Sequence, residues 1–577
     1  MPLLGNAIRA RPERRGLLCA ARRLGPALLL GASVSGLSLA QAATPGGVEP
    51  GVIQREFQKP QPPKAGGPLV LRGPILPAAP SGAAETKLVL KGIKVEGATV
   101  FSQSQLQSYA SALIGKEVAM SQVFGIAQAI TGAYSDAGYP LSVAYLPAQE
   151  IKDGIVTIRV VEGFVSEVEV SGDAGNAADL LKSYGENLKA VRPLTNRALE
   201  RYVLLANDIP GLAVRAVFDR ASSGTGGVKL IFAVTRKNVE VAVGANNRGS
   251  RALGRDRGVV SFVENGNLTG RERIELDLVQ AFQTRELSYV YGQGRFLVDS
   301  QGDTVGLTGT WSRSKPGTDP LESVHFKSDG WSAALDFSHP FVRSRALNIK
   351  LTGEFEFQNL NSDFGSTPNS RDRLRVLRSD LHTDFLDWIG GVTETDLWLS
   401  QGLDIFDATK ESDPNKSRAD GSAAFTSFLG TLDHVQPLTE GLDLSVSISG
   451  QIASRQLLAS EECGYGGAIF GRAFDNYEIS GENCANGAVE LRYRLPVGGD
   501  VTLQPYGFYD AGLVQQKGAL LPGEARRQTG QSIGVGVRSQ IADHVRASLE
   551  FAQPLARQVA IEGNKDGRVF FSVMVTK

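Results

Sequence analysis

The 577-residue sequence contains few cysteine, methionine, tryptophan and histidine residues, with 3, 3, 4 and 5 of them. This leaves little material for metal centres, and the five histidines show none of the spacings of known metal-binding motifs. No stretch of 18 or more apolar residues occurs, which excludes a polytopic helical membrane protein. With 60 Lys and Arg against 61 Asp and Glu, the sequence also lacks the basic excess of a protein that coats nucleic acid.

Motifs of common enzyme classes are also missing. Residues 530–534 match the G-x-S-x-G pattern of a hydrolase nucleophile, but that turn needs a strand before it and a helix after it. Here a polar segment precedes it and a strand-like segment follows it. The sequence has no P-loop, dinucleotide fingerprint or C-x-x-C motif. We therefore predict a protein that is not an enzyme, uses no cofactor or metal, and has neither nucleic acid nor a small molecule as a partner.

Residues 1–42 have the pattern of a secretory signal peptide. Six arginines lie within residues 9–23, an apolar stretch follows from Leu24 to Leu39, and residues 40–42 form an Ala-Gln-Ala cleavage pattern. A membrane anchor is disfavoured because the apolar stretch is short and interrupted by Gly, Ser and Pro. The mature chain is therefore expected outside the cytoplasm.

After cleavage at this site the chain keeps two cysteines, Cys463 and Cys484. An even number in an exported protein favours one disulfide. A bridge that closes a loop of about twenty residues contributes roughly 3 kcal/mol by the chain-entropy argument. Two free thiols are the alternative.

Residues 43–84 have the Pro- and Gly-rich composition of a linker. Within them, Pro50–Lys59 is a candidate helix, because Pro suits a helix start and Val52, Ile53 and Phe57 fall on one face. A short helix between linkers is a candidate detachable element. A nascent helix without a role is the alternative.

Two units of about 75 residues share one order of elements. Residues 85–163 and residues 164–237 each show the pattern β-α-α-β-β, and Ser102 and Ser121 are candidate N-caps in the first unit. Exposed sheet edges in such units can bind extended chains by strand addition. The predicted elements are Leu88–Val95, Ser102–Ile114, Met120–Ala137, Leu141–Leu146 and Gly154–Val161, then Val165–Val170, Ala177–Tyr184, Asn196–Asn207, Leu212–Phe218 and Gly227–Val234.

From residue 238 onward, apolar and polar residues alternate strictly, as in the stretch from Leu347 to Phe357. Alternating segments of about ten residues fit a soluble sandwich or a membrane barrel. We favour the barrel, because a tilted strand needs about 9–11 residues to span a bilayer and a soluble sheet this long would need a very large core. Residues 238–577 are long enough for about 16 strands around a polar lumen.

Three sets of residues resemble one family. The segment from Gly138 to Gly163 is similar to the first POTRA domain of two-partner secretion outer-membrane transporters, which export haemolysins and adhesins from Gram-negative bacteria. Residues 471–475 (Gly-Arg-Ala-Phe-Asp) and 478–481 resemble that family's motif on the sixth surface loop, and residues 508–512 resemble its F-x-D-x-G strand motif. The motif residues are Tyr145, Pro147, Gln149, Gly154 and Gly163, then Arg472, Phe474, Asp475 and Gly481, and Phe508, Asp510 and Gly512.

The resemblance implies a 16-stranded transmembrane β-barrel after two periplasmic α+β POTRA domains, with the sixth loop folded into the lumen. It implies that Arg472 pairs with Asp510, and that the Pro50–Lys59 helix plugs the lumen. The alternation of side chains along the predicted strand agrees with a lumen position for Asp510, because this residue shares a face with Thr502, Gln504, Tyr506 and Phe508. A carboxylate is tolerated in a polar lumen but is costly toward lipid.

The implied function is transport. The POTRA domains would recognise an unfolded exoprotein of haemolysin or adhesin type, with an N-terminal secretion domain, and the barrel would translocate it to the cell surface. The other implied partners are outer-membrane lipid and the machinery that inserts barrels. A barrel assembly factor is the alternative, since it shares POTRA domains and the loop and strand motifs. A simple porin is disfavoured because a diffusion pore needs no periplasmic binding arm.

The sequence departs from the family in three places. Ala473 stands where the loop motif has Gly after the Arg, and its Cβ restricts the backbone slightly more. The chain ends in Lys577 rather than in an aromatic residue, which bears on how the terminal strand is recognised during insertion. The two cysteines bracket the loop motif and are not a general family feature; oxidised, they would staple the base of the loop.

Overall fold

The computed structural model describes residues 48, 50–57, 80–221, 226–319, 321–520 and 525–577. The signal peptide predicted for residues 1–42 and the linker residues 58–79 lie outside these ranges. The chain divides after Ala43, and the unit Thr44–Lys577 holds all the described residues. None of the helices in this described part is long and apolar enough to cross a membrane.

A short helix, α1 (Pro50–Glu56), comes first. The first α+β unit follows, and its central sheet has the order β2-β5-β4, with β2 parallel to β5. A separate pair, β1 with β3, lies beside it. Buried residues of α3 such as Ile126, Ile130 and Tyr134 pack against Ile158 of the sheet. The elements are β1 (Lys87–Val89), β2 (Gly92–Glu96), α2 (Gln103–Gln107), β3 (Glu117–Ala119), α3 (Met120–Asp136), β4 (Val143–Tyr145) and β5 (Ile155–Val161).

Three details of this unit differ from the sequence prediction. The strand predicted from Leu88 to Val95 is split into β1 and β2, because the chain turns where Lys91 N–H donates to the Gly154 carbonyl. The helix predicted from Ser102 shortens to α2 and a following 3-10 turn, although Ser102 does cap α2 by accepting from Gln105 N–H. The prediction that Ser121 caps α3 is wrong. The helix begins at Met120, so Ala119 is its N-cap residue, and the Ala119 N–H donates to the Gln122 side chain.

The second unit repeats the order β-α-α-β-β, as predicted. Its sheet has the order β6-β8-β7, with β6 parallel and β7 antiparallel to β8. Leu181 and Tyr184 of α4, Leu199 of α5 and Phe232 of β8 are fully buried in one core. The elements are β6 (Phe164–Gly172), α4 (Ala178–Lys189), α5 (Asn196–Asp208), β7 (Leu212–Arg220) and β8 (Gly227–Arg236).

The rest of the described chain forms a closed antiparallel barrel of 16 strands, which confirms the predicted fold class. One strand is split into β22 and β23, and both segments pair with β24. The last strand, β27, closes the barrel on β9. The strands are β9 (Val239–Asn246), β10 (Arg257–Asn265), β11 (Glu272–Ala281), β12 (Leu287–Leu297), β13 (Thr304–Ser314), β14 (Phe326–Arg343), β15 (Leu347–Phe364), β16 (Thr367–Leu386), β17 (Val392–Gly402), β18 (Thr426–Thr439), β19 (Leu442–Ala453), β22 (Asn483–Tyr493), β23 (Leu495–Gly498), β24 (Val501–Gln515), β25 (Arg527–Ile541), β26 (Val545–Pro554) and β27 (Arg568–Thr576).

The two faces of the barrel wall differ in polarity, as the alternation predicts. In β14, Trp331 and Leu335 are exposed on the outside, while Ser332 and Asp336 are buried on the inside. An apolar outer face and a polar lumen are what a bilayer requires of a barrel. The strands β14 to β16 have 18 to 20 residues, longer than the predicted ten. A bilayer accounts for only about 9–11 residues of each, so these strands extend beyond it.

The second α+β unit contacts one end of the barrel. Asp208, the last residue of α5, accepts two hydrogen bonds from the Arg343 guanidinium, each 2.8 Å long. Arg201 of the same helix donates to the carbonyls of Pro340 and Gln301. The second α+β unit therefore lies at the end of the barrel where β9 begins. The turns that follow β14 and β16 are at the same end.

Candidate functional site

The sixth loop at the opposite end, residues 454–482 between β19 and β22, carries the first motif. It contains a small hairpin of β20 (Cys463–Tyr465) and β21 (Ile479–Gly481). Cys463 and Cys484 are joined in a disulfide that connects β20 to the start of β22. The bridge lies at the base of the loop. Gly481 passes close to β24, since an added Cβ would lie 2.8 Å from the Gln515 carbonyl oxygen.

Arg472 at the tip of this loop reaches Asp510 on the inner face of β24. Its Nη2 lies 2.9 Å from Asp510 Oδ1, its Nε lies 3.2 Å from Oδ2, and its backbone N–H donates to Oδ2 at 3.0 Å. The Ser532 hydroxyl donates to the same carboxylate at 3.0 Å. The Asp510 side chain is fully buried and the Arg472 side chain is 6% exposed. The guanidinium therefore makes a bidentate ion pair shielded from solvent.

A second carboxylate and an aromatic ring complete the setting of Arg472. Its Nη1 lies 2.6 Å from Glu490 Oε2 on β22, and its Cζ lies 3.5 Å from the centroid of the Phe508 ring. Arg538 on β25 also pairs with Glu490, at 2.6 Å, and stacks on Tyr506. Arg472 is thus held by carboxylates of two neighbouring strands, β22 and β24, and Arg538 of β25 shares one of them.

The next motif residues also face the wall. Asp475 is buried and its Oδ1 lies 2.6 Å from Arg568 Nη2 on β27, while Arg568 Nη1 donates to the Ala473 carbonyl. Phe474 is buried with its ring centroid 5.7 Å from that of Tyr465. Ala473 is fully buried and does not adopt a positive φ, so the Cβ that replaces the family's Gly is accommodated without backbone strain.

Gly512 of the strand motif leaves room for Tyr465. A Cβ at this position would lie 2.1 Å from Tyr465 Cδ2 and 2.6 Å from Asn486 Oδ1. A Cβ at Gly530 on β25 would lie 2.2 Å from the same ring. The tyrosine of the loop hairpin therefore fills a slot that glycines on two adjacent strands leave open. The sequence prediction did not single out Tyr465, Glu490 or Arg568, because none belongs to a motif. Tyr465 lies in the loop hairpin and the other two lie on the lumen face of the wall, and only the folded chain brings them together.

The helix α1 lies against the inner face of the barrel wall. Ile53 is fully buried in a cluster with Tyr289, whose ring centroid is 4.6 Å from that of Phe57. Glu56 pairs with Arg257 of β10 at 2.5 Å. Val52 is 1% exposed. At Gly51 the helix touches the sixth loop, because an added Cβ would lie 2.2 Å from Ser460 Cβ.

The motif residues of the first α+β unit hold its own fold together. The Gln149 side chain donates to the Thr157 carbonyl and accepts from the Thr157 N–H, both at 2.7 Å, and it also donates to the Pro147 carbonyl. Tyr145 ends β4 opposite Arg159. The two glycines are needed for space. At Gly154 (φ +72°) and Gly163, an added Cβ would lie 2.4 Å from the carbonyl oxygens of Val89 and Leu141 respectively.

Glu162, just before the last motif glycine, lies in the segment that resembles the family, but the sequence prediction assigned it no role. Its carboxylate accepts hydrogen bonds from the N–H groups of Thr99 and Val100, from the Thr99 hydroxyl, and from the Tyr134 hydroxyl at 2.7 Å. Burial raises the pKa of Glu162, but these hydrogen bonds outweigh it, and the net shift is downward. The carboxylate ties the loop after β2 to helix α3.

A groove lies beside β6 of the second α+β unit. It has a volume of about 580 Å³ and runs between the strand and helix α4. Within the described residues, β6 pairs only with β8, so its other edge offers unpaired backbone groups. Its walls combine apolar and charged side chains: Val168, Val170, Glu169, Asp173, Lys182 and Glu186.

Comparison with known families matches two parts of the chain. Residues 88–163 match the POTRA domain of ShlB type, and residues 228–537 match the haemolysin secretion/activation protein family ShlB/FhaC/HecB. The heme/hemopexin transporter protein HuxB of Haemophilus influenzae (strain 86-028NP) is 24% identical over 474 residues, which cover 80% of this chain and 82% of HuxB. The outer membrane transporter CdiB of Escherichia coli is 22% identical over 73% of this chain and 71% of CdiB.

Solved structures share the fold. The structure of CdiB from Escherichia coli superposes with a TM-score of 0.68 at 19% identity, covering 88% of this chain and 94% of CdiB. BamA from Haemophilus ducreyi lacking POTRA domains 1–3 superposes with a TM-score of 0.50 at 12% identity, covering 85% of this chain and all of that one. At these identities the likeness establishes the architecture alone.

Proposed function

The chain belongs to the haemolysin secretion/activation protein family ShlB/FhaC/HecB, and from this membership we propose that it exports one large partner exoprotein across the outer membrane. The family acts at the outer membrane, with its POTRA domains in the periplasm. The end of the barrel that contacts α5 is therefore the periplasmic end. The observation that carries the proposal is a closed barrel whose lumen holds two internal elements, the sixth loop and α1, preceded in the chain by two α+β units.

We assign the Arg472–Asp510 pair the role of a lock for the sixth loop. The pair joins the loop tip to the wall through a buried, bidentate contact, and Phe508 and Glu490 fix the guanidinium from two further sides. A bidentate arginine orients as well as attracts, which a lysine would not do. With Asp475 on Arg568, the lock attaches the loop on both sides of Phe474.

We assign α1 the role of a plug. Among the described side chains, its attachments are the Glu56–Arg257 ion pair, the contacts of the Phe57 ring with Tyr289 and Arg257, and the buried Val52 and Ile53, and the helix has only seven residues. A helix this short is not stable alone in water, so its structure depends on the wall it packs on. Because α1 also touches the sixth loop at Ser460, its departure would free space beside the loop for the passing chain.

The groove beside β6 is the proposed binding site for an extended segment of the exoprotein. A strand added to the open edge of β6 would satisfy the backbone groups of both chains, and side chains of the segment would contact α4. Helix α4 approaches the strand closely here, since a Cβ at Gly185 would lie 2.4 Å from Val168 Cγ1. Outer-membrane lipid and the barrel-assembly machinery are the remaining proposed partners.

The transport proposal is tested by secretion. Cells expressing a candidate large exoprotein together with the intact chain, without it, or with Arg472→Ala are compared for exoprotein in the medium. Arg455→Ala is the matched control, because Arg455 lies in the same loop but forms an exposed pair with Glu411. Export should require the chain, fall with Arg472→Ala and persist with Arg455→Ala. Export that continues without the chain contradicts the proposal.

The groove is tested by photocrosslinking in the full chain. A photoreactive amino acid at Lys182, which lines the groove, should capture the exoprotein during export. The control position is Arg197, which is exposed on α5 outside the groove. Equal capture at both positions would contradict binding in the groove.

A further inference from the structure

A histidine and several carboxylates meet on the lumen wall, outside the contacts that hold the sixth loop. His382 of β16 lies opposite Asp396 of β17 in the strand register, and Asp384 lies opposite Glu394. One potential ligand atom each from His382, Glu394 and Asp396 lies within 4.8 Å of the other two. The His382 Nδ1 is 2.8 Å from Asp396 Oδ1 and 3.8 Å from Glu394 Oε1. The spacing in the sequence hides this cluster, which only the hairpin register assembles.

A second feature points to a missing ligand. Asp380 is two residues before His382 on the same inner face, and it is 5% exposed. Its Oδ1 is buried and has no hydrogen-bond partner. Its carboxylate interacts electrostatically with Asp396, with the Lys350 ammonium and with His382, which places it beside the cluster. A buried carboxylate oxygen without a partner is costly unless a cation or a water satisfies it.

The charges around the cluster do not balance. Four carboxylates, of Asp380 and the three residues Asp384, Glu394 and Asp396, share this part of the wall. Among the described residues, His382 is the cationic partner within 4.0 Å of Asp384, Glu394 and Asp396. Lys350 faces His382 from β15, so one ammonium offsets part of the negative charge. With both cations counted, an excess of about two negative charges remains, which a divalent cation would offset.

We propose that His382, Glu394 and Asp396 bind a divalent transition metal ion, with Zn²⁺ as the representative of the class. One imidazole nitrogen with carboxylate oxygens suits such ions, whereas Ca²⁺ and Mg²⁺ prefer oxygen alone. Tetrahedral zinc bonds of about 2.0–2.2 Å hold two ligand atoms about 3.3 Å apart. Binding therefore requires the His382–Asp396 pair to open slightly and the Glu394 carboxylate to approach His382. The site lies near the periplasmic mouth, because Asn348 joins Asp384 to the Arg343 that contacts α5. A bound ion would tie β16 to β17 there.

The test is zinc titration of the purified full chain in detergent, by calorimetry. One zinc ion should bind per chain, and His382→Ala, Glu394→Gln and Asp396→Asn should each weaken binding at least tenfold. The matched control is His434→Ala on β18, whose ring Nδ1 contacts the Thr393 hydroxyl and has one carboxylate nearby, Asp387. It should bind zinc as the wild type does.

Heat-modifiable migration on gels verifies that each variant barrel is folded. Because three variants are made, the proposal can still be tested if one of them fails to fold. The proposal is overturned by an absence of saturable zinc binding to the wild-type chain. It is equally overturned if the three variants retain wild-type affinity, or if the loss appears only in His434→Ala.

Discussion

The buried lock gives the most direct prediction. Arg472→Ala removes a guanidinium that contacts Asp510, Glu490 and Phe508, and leaves the fully buried Asp510 with only a backbone N–H and the Ser532 hydroxyl. Removing one partner of a buried ion pair costs about 3–5 kcal/mol, because the remaining charge is uncompensated. Because these two donors remain, we expect a cost at the lower end of this range, about 3 kcal/mol. At 1.36 kcal/mol per tenfold change, the displaced state of the loop should become roughly 100-fold more populated.

Hydrogen exchange measures this population directly. Amides of residues 466–478 should exchange roughly 100-fold faster in Arg472→Ala than in the wild type, provided that the loop opens and closes faster than exchange occurs. Arg538→Ala is the matched control. Arg538 contacts Glu490 and Tyr506 but not Asp510, and its side chain is 38% exposed, so its loss should change exchange by less than about tenfold.

Two results would refute the reasoning. Exchange in Arg472→Ala within a few-fold of the wild type would show that the pair does not hold the loop. Equal acceleration in Arg538→Ala would show that the lumen wall as a whole, rather than the Asp510 contact, determines the position of the loop. The double variant Arg472→Ala/Asp510→Asn should exchange more slowly than Arg472→Ala alone, since it removes the uncompensated charge.

Three further predictions concern other parts of the chain. Glu162→Gln should speed hydrogen exchange in residues 85–163. Because folding lowers the pKa of Glu162, its stabilising contribution is present above the pKa of the unfolded state and is lost as the pH falls through the folded pKa. The exchange rates of wild type and variant should therefore converge in acid. Gly512→Ala should impair barrel folding on heat-modifiable gels, because its Cβ would meet Tyr465 at 2.1 Å, whereas Gly507→Ala, with its nearest atoms at 3.9 Å, should fold normally. Asp208→Ala should broaden the distribution of spin-label distances between the second α+β unit and the barrel, because it removes two hydrogen bonds from the Arg343 guanidinium. An unchanged distance distribution would contradict this prediction.

The sequence by itself determined the architecture, because the signals involved are local. Strict alternation over β9 to β27 predicted an apolar outer face and a polar lumen, and helical periodicity with Ser102 as a cap predicted the α+β repeat. Parity along β24 placed Asp510 on the inner face, where the structure has it. These inferences depend on the direction in which a side chain leaves the backbone, and that direction is fixed by a period of two or of 3.6 residues.

Only the tertiary structure decided which inward side chains meet. Tyr465 enters a slot formed by glycines 512 and 530, and Arg568 reaches Asp475 from the last strand, 93 residues further along the chain. The His382 cluster likewise depends on the register of β16 with β17. A register and a loop path result from many weak contacts between distant segments, and no local pattern encodes them. The sequence therefore specified the wall of the barrel and the faces of its strands, while folding specified the contacts inside the lumen.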